Sequence, residues 1–389
     1  MSHIAGQGQH RSNSTRTNRA ALIIVFVIVL AVALGIGAWF ATHRTDGNGP
    51  AHAGVSDVAL NKAKNTPKPV TEHHGNSPDC PDTDCIAMLV NGDLLFHEGL
   101  WSHFQGPNPN ATDGTAFNFD PLFAPMKQYI QASDIAVCEF ETPIAQTGSY
   151  KTEADSTKPL VIDSPTGGGK LGLVTGTVSL NGMTADEDWQ VDRLREDGDP
   201  NHDSDIQRAV DKANKAREQG ADVVAIAMHS VQEYLDYADS WQISEAHELA
   251  DTGAFDVIYG AGCHCAQPIE NYNGTWIIYG LGNAVTESAN TPETLVNNQG
   301  VTARIQFAGK KGVKGSWRVN RIDWVPTANV HQGNYQWCPI SSDHPIGTCW
   351  DEAYDAQIRQ RIWDVIYSMG ADQNVVKEWN ITQEQAAKQ

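Results

Sequence analysis

The chain reads as an α/β protein standing behind one N-terminal transmembrane helix, on three observations. Short apolar runs alternate with stretches of helical spacing through the middle of its 389 residues, the pattern of a sheet whose strands are buried on both faces. Polar residues collect just after those runs, at the strand ends where loop-built sites of α/β sheets lie. Residues Ala20 to Ala41 form 22 residues without a charge, enough to cross a hydrocarbon core of roughly 30 Å as a helix.

Arg11, Arg16 and Arg19 precede that run with no acidic residue among them. The positive-inside rule therefore places residues 1–19 in the cytoplasm and everything after Thr42 outside the cell membrane, as a single-pass protein. A cleaved signal peptide is the rival reading. Against it, the run is longer than an h-region of roughly 7–15 residues, and no A-x-A site closes it. Residues 42–79 are rich in Gly, Pro, Asn, Thr, His and Lys with almost no bulky apolar side chain, so a disordered stalk is expected there, with His43, His73 and His74 solvated.

The main domain is expected over residues 80–330. CIAMLVNGDLLF, from Cys85, is an apolar strand that ends in Asn91-Gly92-Asp93, a turn signal at its carboxyl end. Pro121 to Gln131 is helical, Asp134 to Cys138 a strand running into EFETP, and Lys170 to Gly182 another strand and turn. Ser204 to Gln219 has helical spacing, with Asp203 or Ser204 as N-cap and Gly220 closing it. Ala221 to Met228 is a strand ending at His229, Ser244 to Thr252 a helix, and Asp256 to Tyr259 a strand. Thr275 to Tyr279 is the next strand and leads into Gly280-Leu281-Gly282-Asn283. VTARIQFA and SWRVNRIDWVP alternate in strand fashion.

Residues 331–389 form a C-terminal extension. Asp355 to Met369 is an amphipathic helix with Ile358, Ile362, Val365 and Met369 on one face, and Trp337, Trp350 and Tyr354 suggest a small satellite core. Seven cysteines on the oxidising side of a membrane imply disulfides with at least one thiol left over. Cys338 and Cys349 are the best pair, closing a short loop whose cross-link contributes roughly 2–3 kcal/mol; Cys80 and Cys85 are a second. A formal net charge of −20 with no basic stripe argues against nucleic acid as a partner.

Asp93, Glu139, Glu141, His229 and His264 each follow a strand and are candidates to converge. Carboxylates supply hard oxygen ligands and imidazoles borderline nitrogen ligands, the mixture a divalent metal takes. Two such ions can polarise a phosphoryl oxygen and generate hydroxide near neutral pH. For any one position a cap or turn residue is the competing reading, as for His97 after Asp93. Gly260 to Glu270, GAGCHCAQPIE, packs His264 between Cys263 and Cys265. A structural zinc site needs four ligands and this offers three, and a thioredoxin-like pair wants two residues between its cysteines.

The order Asn91-Gly92-Asp93, SDIAVCEFETPI, VVAIAMHSVQEY, YGAGCHCAQPIE and WIIYGLGN, from about Ile86 to Asn283, resembles the poly-γ-glutamate capsule synthesis protein family, CapA or PgsA, itself similar to the calcineurin-like metallophosphoesterases. The resemblance implies a four-layer α/β sandwich with its metal-site loops at one end of the sheets, and a single N-terminal anchor. By position, Asp93 matches the family's first ligand aspartate. Glu141 matches the acidic residue of its Asn-Leu-Glu block, with Glu139 where Asn is usual. His229 and Glu233 resemble the His-x-Gly-x-Glu block, although Ser230-Val231 replaces the aromatic-Gly. Counted back from Gln267-Pro268, His264 falls on the second histidine of Gly-His-x-His and Gly262 on the first, so one ligand is missing.

A larger departure lies between Ile144 and Gly169, which hold neither Asn nor His where the family has an Asn-Asn-His block. That block reads as deleted, leaving the fold partly incomplete. Asn201-His202-Asp203 has the right residue types in the wrong place and reads as caps. The expected divalent-metal set is thus Asp93, Glu141, His229 and His264, lined by Asn91, Gly92, Glu139, Glu233, Gly262, Gln267 and Asn283. Cys138 is the expected disulfide partner of Cys263 or Cys265. Two readings follow: an assembly or export component of capsule biosynthesis with a degenerate metal site, or an active metal-dependent phosphoesterase at the cell surface. The expected partners are envelope or capsule polymer and membrane synthase subunits. An acidic protein repels a polyanion unless a cation or a local basic groove intervenes.

Overall fold

A strand buried along its whole length organises the fold. β1 (Asp84–Leu94) leaves none of its residues exposed in the computed structural model, which describes residues 80–106, 117–140, 158–180, 191–229, 232–287, 297–331 and 335–387. The apolar run 20–41, the stalk, Glu141 and residues 144–157 of the shortened interval lie outside the described residues. Among the described residues no helix is long and apolar enough to cross a membrane.

β1 pairs antiparallel with β10 (Gln299–Gly309) and parallel with β2 (Ile135–Phe140) and, at its carboxyl end, with β9 (Asn283–Val285). β11 (Arg318–Val330), β12 (Gln336–Pro339) and β13 (Val376–Glu378) complete a seven-stranded sheet. A second sheet has six strands. Their order is β3 (Leu160–Asp163), β4 (Lys170–Thr177), β5 (Val223–His229), β6 (Val257–Ala261), β8 (Thr275–Ile278) and β7 (Ile269–Tyr272). β4, β5, β6 and β8 run parallel. Parallel neighbours need crossovers, here supplied by α4 (His202–Glu218) between β4 and β5 and α5 (Ser240–Asp251) between β5 and β6.

Three apolar clusters set the layers. Ile86, Met88, Ile305 and Phe307 of the first sheet meet Leu171, Val223, Ala225 and Val257 of the second. On the far side of the six-stranded sheet, Val224, Ile226 and Ile258 pack with Ala209 and Ala213 of α4 and Leu249 of α5. The far side of the seven-stranded sheet is covered by α1 (Glu98–His103), α2 (Asp120–Phe123), α3 (Lys127–Gln131) and α7 (Ile381–Ala387), where Leu100, Leu122, Tyr129 and Ile381 meet Leu89 and Val325. The order is therefore helix, sheet, sheet, helix. α6 (Glu352–Ile366) adds Ile358, Ile362 and Ile366 to the central cluster.

Several boundaries move for identifiable reasons. The helix expected from Ser204 begins at His202 with Asn201, not Asp203 or Ser204, as N-cap. α5 starts at Ser240, not Ser244, because the Asp239 carboxylate accepts from the Gln242 N–H. α6 starts at Glu352, not Asp355, because Asp351 caps Tyr354 in the same way, and it ends at Ile366. The Pro121–Gln131 helix is three pieces, α2, a 3₁₀ turn at Ala124–Met126 and α3, since Pro125 has no N–H to continue the ladder. The strand from Lys170 ends at Thr177.

The alternation in β10 conceals a second buried face. Arg304 is fully buried and donates to Asp323 Oδ2 at 2.7 Å, to Glu384 Oε2 at 2.7 Å and to the Ala132 carbonyl at 3.2 Å. Its guanidinium also lies 4.1 Å from the Trp379 ring centre. Both proposed disulfides are present, Cys338–Cys349 with Cα atoms 5.9 Å apart and Cys80–Cys85 with 6.0 Å. The expected bond from Cys138 to Cys263 or Cys265 is not: all three are free thiols, Cys138 exposed and the other two buried.

Candidate metal centre

The centre forms where the carboxyl ends of β1, β2, β5 and β6 meet across the two sheets. β1 carries a register shift between Val90 and Asp93, and a bulge of this kind re-aims the side chain that follows it. Gly92 sits so close to the Gly282 carbonyl that a Cβ there would fall 1.7 Å from its oxygen. Only glycine permits that approach, which lets the Asp93 N–H bond Gly282 O at 3.1 Å and sets Asp93 opposite both Glu139 on β2 and Asn283 on β9.

Asp93 is fully buried, so its carboxylate needs donors. The Gly262 N–H supplies one, 3.0 Å from Oδ1 and 3.3 Å from Oδ2. His264 Nδ1 lies 2.9 Å from Asp93 Oδ2 and also 2.9 Å from Asn283 Oδ1. Asn283 is held by its own Nδ2, which donates to the Asn297 carbonyl at 2.7 Å. His264 has φ +58° and Gly262 φ +79°, so the loop after β6 makes two left-handed residues to deliver one backbone N–H and one imidazole to the same carboxylate. A non-glycine residue in this region is strained, and His264 is kept there by its bonds to Asp93 and Asn283.

His229, at the end of β5 and opposite Ala261 of β6, bonds through Nδ1 to the Glu139 carboxylate. Gly262 separates the two pairs: a Cβ on it would lie 2.5–2.8 Å from three atoms of the His229 ring. The family position where a first histidine is expected is thus not an empty place in the site. His229 fills the space in front of it.

The remaining lining residues divide. Asn91 accepts from Thr302 Oγ1 at 2.8 Å, tying β1 to β10. Gln267 is fully buried, donates to the Leu235 and Tyr237 carbonyls at 3.1 and 2.9 Å and accepts from Gln242, so it holds the loop after β5. Glu233 lies in that loop, half-buried. Tyr234, which sequence reasoning passed over, donates its N–H to Cys263 O at 2.8 Å and places its ring 5.7 Å from that of His264. Its φ of +64° is a tertiary effect with no sequence signal. Burial pushes the Cys263 thiol well above its ordinary range and Cys265 up to about 12. Cys263 Sγ donates to the Cys265 carbonyl at 3.0 Å. The Cys-x-Cys pair is therefore inert packing beside the site.

The 2.9 Å separations of Asp93 Oδ2 and Asn283 Oδ1 from His264 Nδ1 are hydrogen-bond lengths, so an ion bound among these three groups would have to take the place of the Nδ1 proton. Glu139 and His229 bond each other.

The family profile described as bacterial capsule synthesis protein PGA_cap matches residues 87–150 and 144–288, together just over half the chain. The two matches meet inside the interval that lacks the Asn-Asn-His block. The PGA biosynthesis protein CapA of Bacillus subtilis (strain 168) is 37% identical over 103 residues, which are 26% of this chain and 25% of that protein; the match therefore spans about a quarter of the relative's length. Among solved structures, the calcineurin-like phosphoesterase YfkN from Bacillus subtilis aligns at 11% identity with a TM-score of 0.34, covering 74% of this chain and 99% of that one. The extent of the profile match places this chain in the bacterial capsule synthesis protein family, PGA_cap.

Proposed function

We propose that this protein is a membrane-anchored, extracytoplasmic component of poly-γ-glutamate capsule biosynthesis, acting in assembly or export, with a metal centre reduced from a two-metal, metallophosphoesterase-like site. Membership of the capsule synthesis family and the stretch shared with a PGA biosynthesis protein support the pathway. The uncharged run 20–41 behind a basic tail supports the anchor, with the N-terminus cytoplasmic.

The observation that carries the reduced-centre reading is Gly262. Its N–H takes the Asp93 carboxylate and His229 occupies the space beside it. Among the described residues, Asp93, His264 and Asn283 are the ones placed to hold one ion, which when bound supplies Lewis-acid charge. Asp93 anchors, Asn283 and Asp93 orient the imidazole, and the Gly262 N–H shares the Asp93 charge. With a net charge of −20, a bridging cation also offers a way to meet a polyanionic polymer or partner synthase subunits.

A second reading, supported by the carboxylates and imidazoles that meet at the strand ends, is an active metal-dependent phosphoesterase at the cell surface. Elemental analysis of the full chain in detergent, with and without Asp93→Ala, separates the two. Loss of at most one divalent ion with no turnover of a generic phosphodiester is expected. Loss of two ions together with turnover would establish the enzyme instead. Deleting residues 1–41 should release the protein from membranes; retention would remove the anchor from the proposal.

A further inference from the structure

A second imidazole–carboxylate cluster lies on the helical face of the six-stranded sheet. His202 opens α4, and Glu245 and Glu248 stand one turn apart on α5, a spacing that points both to one side of the helix. One donor atom from each of the three lies within 4.8 Å of the others.

The hydrogen bonds around these groups leave a gap for positive charge. His202 Nδ1 is 2.6 Å from the Arg195 carbonyl. A carbonyl only accepts, so Nδ1 carries a proton. Nε2 then faces Glu248 Oε2 at 2.8 Å, and a lone pair facing a carboxylate at that distance requires a proton or a cation between them. Glu245 decides which. It is 2% exposed, its Oε2 lies 3.7 Å from His202 Nδ1, and its Oε1 has no hydrogen-bond partner among the described residues. A proton on Nε2 serves Glu248 and leaves Glu245 Oε1 bare, whereas donor atoms of all three residues within 4.8 Å of one another leave a cation able to draw on both carboxylates.

We propose that His202, Glu245 and Glu248 bind one divalent transition-metal ion of the zinc type, through the imidazole Nε2 and the two carboxylates. The Nδ1–H bond to a backbone carbonyl is the support that metal-bound histidines commonly carry, since it fixes the tautomer and turns Nε2 to the ion. Glu248, 44% exposed at its side chain, gives the ion its entry path, and water completes a tetrahedral set. The ion clamps the start of α4 to the middle of α5. Because the unfolded chain offers no such set, binding stabilises the folded state.

The test uses the full chain in detergent, stripped with a chelator and titrated with zinc by calorimetry, with thermal unfolding followed in parallel. Glu248→Gln is the decisive variant, because it changes an exposed side chain distant in the fold from the Asp93 centre. It should lose one zinc equivalent, or weaken it by at least about tenfold, and should lose the zinc-dependent part of the rise in Tm. His202→Gln should do the same. If His202→Gln fails to fold, Glu248→Gln alone decides. Zinc binding and Tm shift unchanged in Glu248→Gln, or no zinc bound by the wild type, would overturn the proposal and leave a protonated imidazole between carboxylates.

Discussion

Gly262→Ala is the most informative single change, because it adds one carbon at the point on which the reduced-centre reading rests. At φ +79°, a residue with a Cβ loses about 1–2 kcal/mol. The same carbon would stand 2.5–2.8 Å from three atoms of the His229 ring, closer than carbon and nitrogen atoms pack, so His229 must leave. Its bond to Glu139 goes with it. Both side chains are about three-quarters buried, at 25% and 24% exposure, and a hydrogen bond to a charged group contributes roughly 1.5–3 kcal/mol. The expected total is about 3–5 kcal/mol by urea unfolding. A double-mutant cycle separates the two parts. In a His229→Ala background the three ring atoms nearest the new carbon are gone, and Gly262→Ala should cost mainly the backbone part, about 1–2 kcal/mol. Equal costs in both backgrounds, or a wild-type-like Gly262→Ala, would show that His229 does not occupy the lost ligand's place. Restoring the family pattern with Gly262→His meets the same ring, so it should destabilise the chain and not increase its metal content.

Other outcomes follow from the buried groups. Arg304→Met leaves the Asp323 and Glu384 carboxylates without their shared donor and should cost about 3–5 kcal/mol in urea unfolding, as removal of one partner of a buried ion pair does. A thiol reagent at pH 8 should find one reactive cysteine in the native protein, the exposed Cys138, and all three free thiols after denaturation without reductant. Only thiolate reacts; burial and the neighbouring Glu139 raise the Cys138 thiol too, which slows its reaction, but the reagent reaches it, whereas Cys263 and Cys265 are buried and held protonated far above that pH. Replacing Cys338 and Cys349 together by Ser should lower stability by roughly 2–3 kcal/mol, the worth of a cross-link over so short a loop.

The parts of the fold legible from sequence were those governed by local periodicity. Apolar runs marked β1, β5 and β8, and helical spacing marked α4, α5 and α6, with end errors wherever an aspartate cap one turn upstream extended the helix. β3, β7, β9 and β13 went unread. They have three or four residues each and exist because a neighbouring strand offers a free edge, which no short window of sequence displays. The partner expected for Cys138 was inferred from neighbourhood alone. Its strand end does approach the loop after β6, but with the carboxylate of Glu139 directed at His229, not with a thiol.

By itself the sequence determined which residues stand at strand ends, and so that Asp93, His229 and His264 belong to one end of two sheets. Each follows an apolar run whose length and composition are local properties. Tertiary structure alone decided what they do there. Among the described residues, the bulge in β1, the backbone contact of Gly92 with Gly282 and the left-handed turns at Gly262 and His264 place Asp93 with His264 and Asn283, and His229 with Glu139. It also brought His202 to Glu245 and Glu248, from a segment whose sequence read as ordinary capping. The reason is common to both cases. A side chain's chemistry is written in its own residue, but its partners stand 19 to 171 residues away, and the register and packing of the two sheets choose them.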